Sequence, residues 1–170
     1  MPAWPDEAEI TACLPSLRRY ARGLARERER ADDLVQDTLE RAWAARSQRR
    51  GEARAWLFGI MHNLFVDRLR REQRRPDFGG LDDLPERAGA GAPTDRLELR
   101  DLDRALARLP AEQREVLLLV AVESLAYAEA AAVLGVPMGT VMSRLSRARE
   151  RLRLELEGRR GDEPRIQRVK

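Results

Sequence analysis

Cysteine, histidine and lysine are almost missing from this 170-residue sequence, and aromatic residues make up only 5% of it. The single cysteine, Cys13, cannot form a disulfide within the chain. Together with the single histidine, His62, it is too little for a His/Cys metal site, and nothing in the sequence calls for a cofactor. We expect Cys13 to be a small buried apolar side chain and His62 to lie on a helix surface.

Long apolar runs are also missing. The longest, Val116–Val122, has seven residues, which is too short to cross a membrane. The N-terminus is acidic at Asp6, Glu7 and Glu9 and has no apolar core of the kind that a signal peptide requires. The sequence therefore predicts a cytoplasmic protein.

Charge, in contrast, is abundant. Charged residues make up 36% of the chain, and all of its 32 basic residues except Lys170 are arginine. The net charge is only +3, so any attraction for nucleic acid must depend on where the arginines lie. The apolar residues are mostly Ala, Leu and Val, which favour helices.

Apolar residues recur at every third or fourth position in both halves of the chain, which predicts helices. In the first half, the acids Asp32 and Asp33 suggest the start of the second helix, and the third should run over about 54–74. Residues 76–95 are rich in Pro and Gly and carry a net charge of −4, from five acids and one arginine, so they predict a flexible acidic linker. The predicted fold is all-α, with two small helical domains: 1–75, the linker 76–95, 96–157 and a polar tail 158–170.

The clearest motif is a helix-turn-helix over residues 125–153. Gly135 suits a turn that needs a positive φ, and Pro137 suits the start of a second helix, predicted to run over about 138–157. Away from its apolar positions, one side of that second helix groups hydroxyl and guanidinium side chains, which suit phosphates and base edges. These candidate DNA-binding residues are Thr140, Ser143, Arg144, Arg147 and Arg151. The alternative is a solvated arginine-rich face with local acidic partners.

Three parts of the second half together resemble region 4 of the extracytoplasmic-function (ECF) group of bacterial sigma factors. They are Leu109-Pro110, the apolar segment Val116–Val122 and the run Val136–Arg149. The resemblance implies that this second domain binds the −35 promoter element, with the second helix of the motif in the major groove. Met142 stands where many members carry Lys or Arg, and Ala130 replaces a common larger aliphatic residue.

Residues 31–43 form an amphipathic helix that resembles the region 2 helix by which sigma factors dock on the β′ clamp of RNA polymerase. The alternative is a helix of the domain core whose acidic face is simply exposed to solvent. By resemblance, the contact mixes apolar and polar side chains, as interfaces do. The implied docking residues are Leu34, Gln36, Asp37, Leu39 and Arg41.

The third helix, over residues 55–71, is similar to the helix that reads the −10 element in this family. Residues 46–75 carry a net charge of +6, from nine arginines and three acids, which attracts a polyanion. The implied −10 residues are Asn63, Asp67, Arg70, Arg71 and Arg74. By resemblance, the loop 46–53 holds a flipped −10 base, although no single residue in it stands out. The alternative is a basic solvated helix end in which Asp67 pairs with Arg71.

Taken together, the chain is identified as a member of the ECF sigma factors. The resemblance implies a specificity subunit without a catalytic site, whose partners are core RNA polymerase (through the β′ clamp helices and the β flap), promoter DNA and an anti-sigma factor. By the same resemblance, the anti-sigma factor is expected to hold the protein at the inner face of the membrane. The acidic linker either passes through the RNA exit channel or is a plain spacer. The alternatives are a helix-turn-helix regulator that does not dock on polymerase, a sigma mimic and a recombinase.

Overall fold

The computed structural model describes residues 7–49, 51–74 and 93–162, and all regular structure within those ranges is helical. Three helices form the first half and four the second, with a short 3-10 turn at Arg46–Gln48 and a π-helical turn at Leu118–Val122. The helices are α1 (Glu7–Ala25), α2 (Arg28–Ala44), α3 (Ala53–Gln73), α4 (Pro93–Ala107), α5 (Ala111–Leu117), α6 (Tyr127–Leu134) and α7 (Met138–Asp162). The all-α prediction is confirmed.

Helices α1 to α3, called region 2 below, pack as a bundle around a core of aliphatic side chains and one aromatic pair. Tyr20 and Phe58 are both fully buried, and their rings meet edge to face at 5.2 Å between centroids. Thr38 is also buried in this bundle, and its hydroxyl donates to the carbonyl oxygen of Leu34 at 2.6 Å, so it leaves no unpaired donor.

Helices α4 to α7, called region 4 below, contain the predicted helix-turn-helix. Gly135 ends α6 with φ 63°, the left-handed conformation expected of that turn. Helix α7 then buries Val141, Leu145 and Ala148 against α5 and α6. These three residues recur at helical spacing, so the opposite side of α7 is left for other contacts.

Three predicted boundaries are wrong. Helix α2 begins at Arg28 rather than near Asp32, because Arg26 adopts φ 63° and ends α1 without a glycine. Helix α7 continues to Asp162, so it includes the first residues of the predicted tail, because extending an existing helix costs far less than starting one. Helix α4 begins at Pro93, three residues before the predicted second domain. The rest of the linker, from 76 to 92, and the tail beyond 162 lie outside the described residues.

Regions 2 and 4 pack directly against each other, which the sequence did not predict. Helix α6 lies along α3, and α5 with its π-helical turn lies against α1. The two regions approach closely at Gly23 on α1, where a Cβ atom would stand 2.6 Å from a methyl carbon of Leu118. Glycine at this position therefore permits the two regions to meet.

His62 lies in this interface, so its prediction as a helix-surface residue is wrong. Its side chain is 13% exposed, and Nδ1 is 2.9 Å from Oε1 of Glu115 on α5. The histidine faces outward from the region 2 bundle, as its spacing predicted, but region 4 covers that side of α3. Cys13 is buried, as expected, and burial raises the pKa of its thiol.

Candidate nucleic-acid and polymerase interfaces

The predicted DNA-binding residues of α7 share one side of the helix, away from its buried stripe. Ser143, Arg147 and Arg151 are exposed, while Thr140 and Arg144 are partly covered. The Ser143 hydroxyl donates to the carbonyl oxygen of Thr140 at 3.1 Å, which orients it within the first turns of the helix. The structure therefore brings all five residues onto one accessible face.

Arg144 differs from its neighbours because it has an acidic partner. Its Nη2 atom lies 2.8 Å from Oε2 of Glu112 on α5, and its side chain is only 23% exposed. The ion pair restrains the Arg144 guanidinium, and Glu112 would compete with a DNA phosphate for it. Glu112 was missed at the sequence level, because thirty-two residues separate it from Arg144.

A different side of α7 is neutralised within the helix. Arg153 donates to Glu150 and Glu157 at 2.7–3.1 Å, so both acids lie one turn from the same guanidinium. These hydrogen bonds lower the pKa of the Glu150 carboxyl and raise that of Arg153. Because its charges cancel locally, this side is a weaker candidate for phosphate contact than the face of Arg147 and Arg151.

The predicted −10 residues all lie on the exposed side of α3 towards its C-terminus. Asp67 and Arg70 form a loose ion pair at 3.9 Å, rather than the Asp67–Arg71 pair considered from the sequence. Both side chains are more than half exposed, so the pair is weak and leaves the arginine available. The five residues on this side are Asn63, Asp67, Arg70, Arg71 and Arg74.

The predicted docking residues of α2 do not share one face. Leu34 is fully buried in the region 2 core, so in this structure it does not lie on the surface expected of a docking residue. Gln36, Asp37 and Arg41 are exposed, and Leu39 is partly exposed beside them. The available surface is therefore mainly polar.

Asp37 is also held in place by region 2 itself. Its Oδ2 accepts from Arg68 Nη2 on α3 at 2.5 Å, and Gln36 donates to Glu40 at 3.0 Å within α2. Arg68 therefore links α2, which carries the predicted docking residues, to α3, which carries the predicted −10 residues. Nothing in the local sequence marks this link, because i,i+4 spacing cannot reveal a contact between helices.

The loop before α3 has one feature that stands out. Trp43, at the end of α2, is 57% exposed, and the guanidinium of Arg46 lies 5.0 Å from its ring centroid. Within the same loop, Arg49 pairs with Glu9 of α1 at 3.0 Å. Phe58 is buried in the core, and Trp56 is partly buried.

Comparison with known proteins agrees with this architecture over both regions. Residues 10–62 match the family model described as the Sigma2 domain of PhyR, and residues 99–152 match Sigma-70, region 4. The chain is 39% identical to the ECF RNA polymerase sigma factor EcfG of Rhodopseudomonas palustris (strain TIE-1), over 85% of this chain and 81% of that protein.

Two solved structures are similar over most of the chain. One is the sigma factor RpoE of Bartonella quintana in complex with the anti-sigma factor NepR, with a TM-score of 0.75 and 34% identity over 89% of this chain and 96% of that one. The other is CnrH in complex with the cytosolic domain of CnrY, with a TM-score of 0.66 and 31% identity over 88% of this chain and 85% of that one.

The helical bundle, the helix-turn-helix and its basic face define a two-region transcription factor of the sigma-70 type. Within that class, the chain belongs to the ECF RNA polymerase sigma factors and is an alternative sigma factor. Among the helices that the structure describes, none has the length and apolar character needed to cross a membrane.

Proposed function

We propose that this sigma factor binds core RNA polymerase and directs initiation at promoters with −35 and −10 elements, and that region 4 reads the −35 element through α7. The observation that carries the proposal is the division of α7 into two sides. Val141, Leu145 and Ala148 pack inward, while Arg147 and Arg151 project from the other side. An α-helix fits the major groove, and such a face supplies donors for phosphates and guanine edges.

The exposed side of α3 is assigned to the −10 element. Asn63 offers an amide for base edges, and Arg70, Arg71 and Arg74 offer charge for the backbone. Melting requires an unpaired base to be captured, because unstacking costs a few kcal/mol. The exposed Trp43 at the end of α2, with the guanidinium of Arg46 over its ring, supports that role because both precede α3 in the chain.

Core polymerase is assigned to α2, through Gln36, Asp37, Leu39 and Arg41. Leu34 then supports this surface from beneath. Region 4 is assigned a second contact with the β flap. A sigma factor supplies specificity to the polymerase active site, so we expect no catalysis by this chain alone.

Control by an anti-sigma factor belongs to the same proposal. The similar sigma factors RpoE and CnrH were both solved in complexes with anti-sigma proteins, NepR and the cytosolic domain of CnrY. We expect this chain to bind a protein of that class, in the cytoplasm or at the inner face of the membrane. Such a partner inhibits by competing for the surfaces assigned to polymerase and DNA.

Run-off transcription tests the proposal directly. Purified protein is added to bacterial core polymerase with a library of genomic fragments, and the transcript starts are mapped. Discrete new starts that share an upstream −35 and −10 pair are expected. Retained binding of duplex DNA without any new start would instead indicate a regulator that acts without polymerase docking.

A further inference from the structure

Glu123, at the end of the π-helical turn, is a fully buried carboxylate in the contact between regions 2 and 4. It accepts hydrogen bonds from Nε and Nη2 of Arg19 on α1 at 2.7 and 2.8 Å, so the two side chains form a bidentate ion pair. Arg54 of α3 lies 3.3 Å from the same carboxylate and also donates to the Glu123 carbonyl oxygen. Both arginines belong to region 2, so the carboxylate is neutralised only while the two regions are together.

The backbone around Glu123 is shaped for this contact. The helix widens into a π turn over Leu118–Val122, and the amide of Glu123 donates to the carbonyl oxygen of Leu118 at 2.9 Å. Ser124 then adopts φ 56°, a conformation that non-glycine residues seldom take. π turns and left-handed non-glycine residues both cost free energy and are concentrated at functional sites. Here they direct Glu123 towards region 2.

Three further contacts hold the same two regions together. Leu118 packs over Gly23, where any side chain on α1 would collide with it. His62 meets Glu115 at 2.9 Å. Arg114, which is itself buried, donates to the carbonyl oxygen of Leu24 near the end of α1, where a cation is favoured.

This packed arrangement conflicts with binding both promoter elements at once. Elements centred at −35 and −10 are about 25 base pairs apart, which is about 85 Å of B-form DNA. A compact chain of this length has a radius of gyration of about 15 Å and a diameter near 40 Å. Residues 75–92, fully extended, span about 60 Å, so the chain itself permits the regions to separate.

We propose that Glu123, with Arg19 and Arg54, forms a latch that holds the free sigma factor closed, so that it must open before it can occupy both promoter elements. The proposal rests on the proposed function. The latch leaves the exposed arginines of α3 and α7 uncovered, so it inhibits by fixing their separation and not by masking them. It can open because the cost of removing a carboxylate from water offsets much of its attraction to the arginines.

The first test measures the distance between the regions in the free, full-length protein. Fluorophores are placed at Ala44→Cys in region 2 and Ala128→Cys in region 4, in a Cys13→Ala background. Both label positions are exposed. For the otherwise unaltered chain, we expect a single population with high resonance energy transfer between the two fluorophores, called high transfer below. The double variant Arg19→Ala/Arg54→Ala strands the Glu123 carboxylate without a partner, and it should shift most molecules to low transfer.

The control removes the same two charges elsewhere on region 2. Arg18→Ala/Arg28→Ala changes exposed arginines of α1 and α2 and should keep the high-transfer population. An independent pair tests the apolar side of the contact. Gly23→Val collides with Leu118 and should open the protein, whereas Gly59→Val on α3, where a Cβ meets nothing within 4 Å, should not.

The second test measures function with reconstituted holoenzyme. If closed molecules outnumber open ones about tenfold, opening the latch lowers the concentration needed for half-maximal transcription about tenfold. Arg19→Ala/Arg54→Ala should therefore activate at lower concentration than Arg18→Ala/Arg28→Ala. Binding of an isolated −35 duplex, which needs region 4 alone, should be equal for the two variants.

The outcomes separate the latch from the proposed function. A low-transfer population in the unaltered chain, or equal transfer and equal half-maximal concentrations in the two double variants, would overturn the latch while transcription persisted. Absence of promoter-specific transcription with every variant would overturn the proposed function, whatever the distances.

Discussion

Helices α2 and α7 both carry residues that the resemblance to ECF sigma factors assigns to a partner, but they present those residues differently. On α7, none of the five assigned residues belongs to the buried stripe of Val141, Leu145 and Ala148. On α2, the assigned set mixes a fully buried residue, Leu34, with exposed ones such as Asp37. Resemblance to a family motif therefore assigns positions to a partner without separating the buried residues from the exposed ones.

The reason lies in what each helix packs against. Helix α7 has one side for the region 4 core and a long free side, so a residue's spacing tells which side it occupies. Helix α2 packs against both α1 and α3, so its buried part is wider, and buried Leu34 is only three residues from exposed Asp37. Four substitutions, taken from the largest expected effect to the smallest, test this contrast.

Leu34→Ala should reveal a supporting residue. Removing a fully buried leucine side chain should lower the free energy of unfolding by about 2–5 kcal/mol, because it leaves a cavity in the region 2 core. Chemical denaturation of the full chain measures this effect. The affinity of the folded fraction for core polymerase should change little. A stable variant with lost polymerase binding would mean that Leu34 contacts the partner after all.

Arg144→Ala should reveal a contacting residue on α7. Loss of the guanidinium should weaken binding to a −35 duplex by about 1–3 kcal/mol, with little change in stability, since its partner Glu112 is largely exposed. Fluorescence anisotropy at fixed salt measures the affinity. Arg149→Ala, an exposed arginine off the predicted face, is the matched control. Equal losses in both variants would contradict base reading by Arg144.

Asp37→Arg should weaken core polymerase binding about tenfold, because it reverses an exposed charge in the polar part of the docking surface. Asp37→Asn is a necessary companion, since Asp37 also pairs with Arg68, and it separates loss of that pair from charge reversal. Asp33→Arg, exposed on the same helix, controls for net charge. A normal holoenzyme with Asp37→Arg would remove the docking assignment.

Tyr20→Phe should have the smallest effect and tests the core beneath α2. The Tyr20 hydroxyl is buried without a hydrogen-bond partner among the described residues, and burial, with nearby Glu115, raises its pKa well above the usual value. Removing the hydroxyl should leave the free energy of unfolding unchanged or raise it by up to about 1 kcal/mol. Thermal denaturation measures this, with exposed Tyr127→Phe as the control. A clear loss of stability would imply a partner for the hydroxyl.

Much of the local structure was accessible from the sequence. Helical spacing predicted α3 within one residue at each end and the start of α7 at Met138. The left-handed conformation of Gly135 was expected from its place in the turn of the predicted helix-turn-helix. The start of α2 was missed, because a left-handed arginine at Arg26 has no distinctive signature in a chain that is full of arginine.

The site was predictable to the extent that one helix could define it. The faces of α3 and α7 follow from residue spacing alone, and in both the structure leaves the assigned residues exposed or partly so. Their partners do not follow. Glu112 beside Arg144, and Arg68 beside Asp37, come from other helices, and nothing in the local sequence marks them.

The sequence by itself determined the helices, the turn at Gly135 and the composition of each exposed face, because these depend on spacing and backbone preference within a few residues. Only the tertiary structure decided that Leu34 is buried, that His62 is covered, and that the buried carboxylate of Glu123 meets Arg19 and Arg54. Those outcomes depend on which helix lies opposite, and burial and charge pairing are properties of both surfaces together.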